Sequence, residues 1–147
     1  MYKSVFIEFL SYIENFKDFE YLLALIKSTI APTLSDLKLG TMMNLKNGER
    51  NLRDSWMENK FLLKDVLDID FYELRILEDS VLVYFFKKKR LEKKLKQQKI
   101  IEFLNSEGYE ECRSVEDYLY FLESRFTETC PDEIGIFLGY PLKDVID

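Results

Sequence analysis

Six consecutive apolar side chains, Val81-Leu82-Val83-Tyr84-Phe85-Phe86, constrain this fold more than any other stretch of the chain. Successive side chains of a strand point to opposite faces, so a run without polar alternation belongs in a strand that is covered on both sides. It is far too short to span a membrane as a helix. Upstream, Phe71 to Leu77 alternates, with Tyr72, Leu74 and Ile76 on one face and Glu73 and Arg75 on the other, and Glu78-Asp79-Ser80 links the two runs as a hairpin. Leu37, Leu39, Thr41, Met43 and Leu45 also alternate, which predicts a strand at about 38–46 despite Gly40, closed by the Asn47-Gly48 turn. The expectation is a small antiparallel sheet of about three strands, with 81–86 in the centre and 71–77 and 38–46 beside it.

Helices account for the remainder. Apolar residues recur at helical spacing from Ser4 to Thr29, with an interruption expected at Asn15 to Asp18, where Asp18 could cap a second helix. Pro32 stops helix growth before the first strand. A further helix is predicted from Glu49 to about Leu67, its buried stripe being Leu52, Trp56, Leu62/Leu63 and Val66. Lys87 to Asn105 is helical in character, with Leu91, Leu95, Ile100, Ile101 and Leu104 as apolar anchors, and Ser114 to Asp117 opens another helix as a capping box. Near the end, Pro131 at a first helical position and Gly139 ahead of Pro141 punctuate one very short helix. The fold class that results is α+β, a small antiparallel sheet packed with several helices, expected as a single domain over residues 1–147.

Composition narrows the chemistry. The chain contains no histidine, which removes imidazole bases, imidazole metal ligands and histidine pH switches. Cys112 and Cys130 lie 18 apart without a C-x-x-C partner, too few for a disulfide framework or a four-cysteine zinc site, so they read as cytosolic thiols. Neither a signal-peptide core nor a membrane span is expected, because Glu8 and Glu14 interrupt the N-terminal apolar residues. The expected setting is cytoplasmic, with no cofactor and no metal.

Charge is unevenly spread. The net charge is −6, yet Lys87 to Lys99 carries +7, leaving −13 on the rest of the chain. Lys87, Lys88, Lys89, Arg90, Lys93, Lys94, Lys96 and Lys99 are therefore the candidate contacts for an RNA or DNA backbone, the alternative being a solvated helix face. In the C-terminal stretch, Glu133, Phe137 and Tyr140 are the candidate contacts for a protein partner, set against a helix that merely closes the core. Asp70, Glu73 and Arg75 superficially resemble the paired carboxylates and cation of a metal-dependent nuclease. Their spacing is too tight and arginine cannot serve as a base, which favours alternating surface charge. Cys130, close to the predicted start of the short helix, could have a lowered thiol pKa, but no histidine exists to activate it.

The residues then suggest a family. Ala31-Pro32-Thr33-Leu34, the Leu39 to Leu45 strand, Val81-Leu82-Val83-Tyr84, and Pro131-x-Glu133-Ile134-Gly135-x-Phe137-Leu138-Gly139-Tyr140-Pro141-x-x-Asp144-Val145 together resemble the bacterial domain of unknown function 3793, over most of the chain from about Phe16 onward. Two positions depart from that family's usual pattern: Thr29-Ile30 stands where members show His-Cys, and Asp132 where they show His. Members also run on into a Cys-Gly-Tyr-Trp segment, whereas this chain ends at Asp147. A metal or redox site built from those residues in relatives would be missing here, and the retained scaffold favours binding over chemistry. Because some mobile-element-borne members look to act as inhibitors of bacterial CRISPR immunity, the resemblance implies a non-enzymatic module with a protein partner, a bacterial defence component being one such partner. An RNA-binding regulator that uses the Lys87–Lys99 strip is the alternative, and a metal-dependent nuclease the third reading.

Overall fold

The computed structural model describes residues 2–127 and 129–146, with side chains from Ser4 onward. The chain runs α1 (Tyr2–Thr29), α2 (Ala31–Leu34), β1 (Gly40–Lys46), α3 (Leu52–Leu67), β2 (Asp70–Ile76), β3 (Ser80–Phe86), α4 (Lys88–Leu95), α5 (Gln98–Leu104), a π-helical turn (Asn105–Tyr109), α6 (Val115–Arg125), α7 (Ile134–Leu138) and α8 (Leu142–Ile146). The three strands form one antiparallel sheet in the order β1-β3-β2. This is the α+β arrangement the sequence predicts, with the apolar strand in the middle and all seven of its residues buried.

Each face of β3 has its own apolar layer. Val81, Val83 and Phe85 meet Leu22 and Ile26 of α1 and Trp56 and Leu63 of α3. Leu82, Tyr84 and Phe86 point the other way, into a core supplied by α4 to α7 with Leu91, Leu104, Leu122 and Phe137. Alternation along a single strand thus divides the apolar interior into two halves. The C-terminal stretch closes the second half: the Tyr84 hydroxyl donates to the Phe137 carbonyl at 2.6 Å, joining α7 to the central strand. Gly40 lies directly beneath that contact. A Cβ there would collide with the Tyr84 ring and come within 2.7 Å of the Phe137 carbonyl oxygen, which explains a glycine inside β1.

Several expectations need correction. Helix α1 is unbroken through Asn15 to Asp18. Asp18 is buried and caps a different helix, accepting the Asn51 backbone N–H at 3.3 Å just ahead of α3 and facing Arg50 at 3.7 Å. The buried stripe of α3 is Trp56, Leu63 and Leu67, while Leu62 and Val66 face solvent. Leu37 does not enter the strand; β1 starts at Gly40 and Leu37 is 84% exposed. The short C-terminal helix begins at Ile134, with Pro131 in the preceding turn, although Gly139 does end it in the left-handed region at φ 96°. Glu73 is not surface charge. Helix α3 lies over it, Trp56 Nε1 donates to Glu73 Oε2 at 2.8 Å, and Lys60 Nζ reaches Oε1 at 2.9 Å.

Glu133 and Phe137 also lie inside the protein, so neither can form part of an exposed partner-binding patch in this conformation. Phe137 is fully buried against Tyr84 and Tyr109, and Glu133 is 1% exposed. Arg125 grips the Glu133 carboxylate with both arms, Nε to Oε1 at 2.7 Å and Nη2 to Oε2 at 3.2 Å, and the Tyr109 hydroxyl donates to Oε1 at 3.0 Å. Burial alone would raise the Glu133 pKa, but the guanidinium and the tyrosine hydroxyl overcome it and hold the carboxyl below its ordinary value. Because folding lowers this pKa, the stabilisation is complete above the unfolded value of about 4.3 and is lost as pH falls through the folded value.

Two measurements follow from these contacts. Gly40→Ala should lower the unfolding free energy by about 2 kcal/mol in urea denaturation, the usual scale for forcing atoms into a filled site. A change below about 0.5 kcal/mol would mean that Tyr84 can move aside. Glu133→Gln should lose about 2 kcal/mol at pH 7 by leaving Arg125 with only its longer, 3.6 Å contact to Glu107. The gap to the parent chain should narrow as the pH is taken below 4, because the parent carboxylate then protonates as well. A gap independent of pH would remove the ion pair from the account.

A cationic cleft beside the C-terminal motif

The basic run divides into two groups once folded. Lys87 crosses to the α2–β1 loop, donating to the Leu34 carbonyl at 2.7 Å and to Asp36 Oδ1 at 2.8 Å. Arg90 follows one turn later, donating to the Lys38 carbonyl at 3.1 Å and standing 3.7 Å from Asp36. Asp36 adopts φ 65°, which turns its carboxylate back toward α4, and the bond from Lys87 holds its carboxyl below the ordinary value. Lys88 pairs with Glu116 on α6, and Lys96 with Glu92 one turn back. Among the described residues, Lys89, Lys93, Lys94 and Lys99 have no side-chain hydrogen-bond or ion-pair partner. Lys87, Lys88 and Arg90 therefore tie α4 to the body, Lys96 pairs within its own helical run, and the other four are available to something else.

Lys87 and Arg90 position one wall of a cleft of about 740 Å³. Arg90, Lys93, Lys94 and Gln97 of the α4 region form that side, Leu37, Lys38 and Leu39 form the base, and Leu138, Gly139 and Tyr140 form the opposite side. The side opposite α4 sits tightly on the base because Gly139 lacks a Cβ; one added there would stand 3.0 Å from the Leu39 Cβ. Four cations converge on this concavity. Leu37 and the half-exposed Tyr140 add apolar surface at its rim. Tyr140 is thus the one residue of the Glu133, Phe137, Tyr140 set that reaches solvent, and it does so beside part of the basic strip. The sequence reading missed Leu37 and Lys38 as site residues. The only signal for them was a leucine ahead of the glycine that starts the strand, and contact with α4, some fifty residues away, is invisible in local spacing.

The remaining candidate residues are engaged elsewhere. Asp70 accepts the Lys88 backbone N–H at 2.8 Å and lies 3.7 Å from Lys64, acting as a cap on α4. Glu73 points to the α3 side of the sheet, so the two carboxylates do not converge, and no cluster of three or more acidic or cysteine ligands occurs among the described residues. The Cys130 thiol is pushed up, not down, by partial burial and by Glu133 and Asp132, and the helix it was expected to precede starts four residues later. Burial likewise pushes up Cys112. No helix among the described residues is long and apolar enough to cross a membrane.

A family model described as a protein of unknown function (DUF3793) matches residues 26–147. No curated protein and no solved structure matches the chain. The matched span holds the sheet, the Tyr84–Phe137 contact, the Glu133–Arg125 pair and both sides of the cleft. With five-sixths of its length inside that match, the chain belongs to the DUF3793 family.

Proposed function

We propose that this protein works by binding, not by catalysis, and that the cleft between α4 and Tyr140 receives an acidic segment of a protein partner. The observation that carries this reading is the combination of four converging cations with two solvent-facing apolar side chains, Leu37 and Tyr140, at one concavity. An interface needs a desolvated anchor as well as charge. A tyrosine and a leucine beside a cationic wall suit a peptide that alternates carboxylates with an aliphatic or aromatic residue. The carboxylates nearest to a catalytic arrangement, Asp70 and Glu73, are occupied in capping α4 and holding Trp56, and this supports a non-enzymatic role.

RNA is the second reading, supported by the four unpartnered lysines. Two features weigh toward protein: Leu37 is a poor stacking surface for a base, and the remainder of the chain, with a net charge of −13, repels a long polyanion beyond the short cationic footprint. Because some mobile-element-borne members of the family look to act as inhibitors of bacterial CRISPR immunity, a component of that immunity is the first partner to try.

The purified chain, immobilised and exposed to nuclease-treated lysate of its host, should retain a protein that the Lys93→Glu/Lys94→Glu variant loses by at least tenfold, with stability unchanged because neither lysine touches the core. Retention of that protein by the variant would place the interface elsewhere. Recovery of nucleic acid alone from an untreated lysate, released by neutralising Lys88, Lys89, Lys93 and Lys94, would favour the RNA reading.

A further inference from the structure

Helix α1 changes its relation to the body halfway along. From Asp18 onward it packs, burying Asp18, Leu22, Ile26 and Ile30 at four-residue spacing. From Ser4 to Lys17 every residue except Ile13 is exposed. Seven apolar residues of that arm are each 45–69% exposed: Ile7, which lies on another side of the helix, and the six Val5, Phe6, Phe9, Leu10, Tyr12 and Phe16. At 100° per residue these six centre about a third of a turn from the packed face. The positions that continue the packed face into the arm are Ser4, Glu8, Ser11 and Asn15, all polar. The apolar face of the arm is therefore aimed away from the seam with α3 and has no cover from this chain among the described residues.

We propose that this face is covered by the same face of a second copy, giving a dimer through paired α1 arms. The area is sufficient. At 150–250 Å² for a whole aromatic side chain, the six exposed residues present on the order of 600 Å² per copy, or roughly 1,200 Å² for the pair, which reaches the lower edge of a specific interface. A contiguous exposed apolar patch of this size on a helix marks an interaction site. The charge pattern selects the occupant. Residues 2–17 carry Lys3 and Lys17 against Glu8 and Glu14, so the arm is neutral and lacks the cationic face with which amphipathic helices hold anionic lipid. A like surface is complementary to a neutral apolar face without any charge matching, and two-fold pairing is the commonest way in which identical chains associate. The arm also lies outside residues 26–147, where the family model matches.

Sedimentation velocity over a range of concentrations tests this directly. The full chain should move as a species of twice 17.6 kDa at tens of micromolar. Phe9→Glu/Phe16→Glu should raise the dissociation constant at least a hundredfold and remove the concentration dependence of the melting temperature, leaving the melting temperature of the parent at monomeric dilution, while Phe9→Leu/Phe16→Leu should remain dimeric. A parent chain that is monomeric at 100 µM would overturn the proposal, whether or not it pellets with phosphatidylcholine or phosphatidylglycerol vesicles. A glutamate variant that still dimerises would do the same.

Discussion

A strand buried on both faces obliges a short chain to build two cores around it, and the rest of this structure follows from that demand. β3 can satisfy its backbone only through β1 and β2, and its side chains only through α1 and α3 on one side and α4 to α7 on the other. The helices after β3 are short, and α4 and α5 are separated at Lys96 and Gln97. They must turn repeatedly to cover Leu82, Tyr84 and Phe86. The final piece of that cover is α7, fixed to β3 by one hydrogen bond from Tyr84 and to α6 by the grip of Arg125 on Glu133.

This arrangement gives the most specific stretch of the sequence a structural meaning. Within Pro131 to Val145, Glu133 is an internal anchor, Phe137 fills the core, and Gly139 permits close approach to Leu39. The proposed binding surface arises as a by-product of that closure. Fixing Gly139 against Leu39 leaves Tyr140 at the rim, facing a helix already pulled toward the same loop by Lys87 and Arg90. Residues with structural duties thus set the width of the cleft, and residues without them, Lys93, Lys94, Leu37 and Tyr140, supply its chemistry.

The sheet was legible in the sequence for a physical reason: a strand with no polar position has only one place to go, and its two alternating neighbours follow. The Ser114 cap was equally local, and both Ser114 and Asp117 make the expected reciprocal bonds. What stayed hidden depended on contacts distant in sequence. Alternation assigns Glu73 to a face but cannot show that Trp56 and Lys60 will lie over it. In the α3 stripe Leu52, Trp56 and Leu63 were placed correctly and its end was misplaced by one residue, Val66 for Leu67, because Phe61, Leu62, Leu63, Val66 and Leu67 offer two apolar faces and only the position of the sheet selects Leu63 and Leu67. The basic run announced itself by composition, while its division into tethers and available lysines required the loop at Asp36 to be in place. In α1, helical spacing identified the apolar residues and gave no indication that those before Asp18 point away from the body.

The central claim is that partner contact occurs at the rim of the cleft formed by Leu37 and Tyr140. Site-specific photo-crosslinking in host cells addresses it most directly, with a benzophenone side chain placed in turn at Leu37, at Tyr140 and, as a control, at Phe61, an aromatic that is 69% exposed on α3. The account predicts the same protein adduct from Leu37 and Tyr140 and none from Phe61. Adducts from Phe61 alone, or adducts at the cleft that contain only RNA, would contradict it.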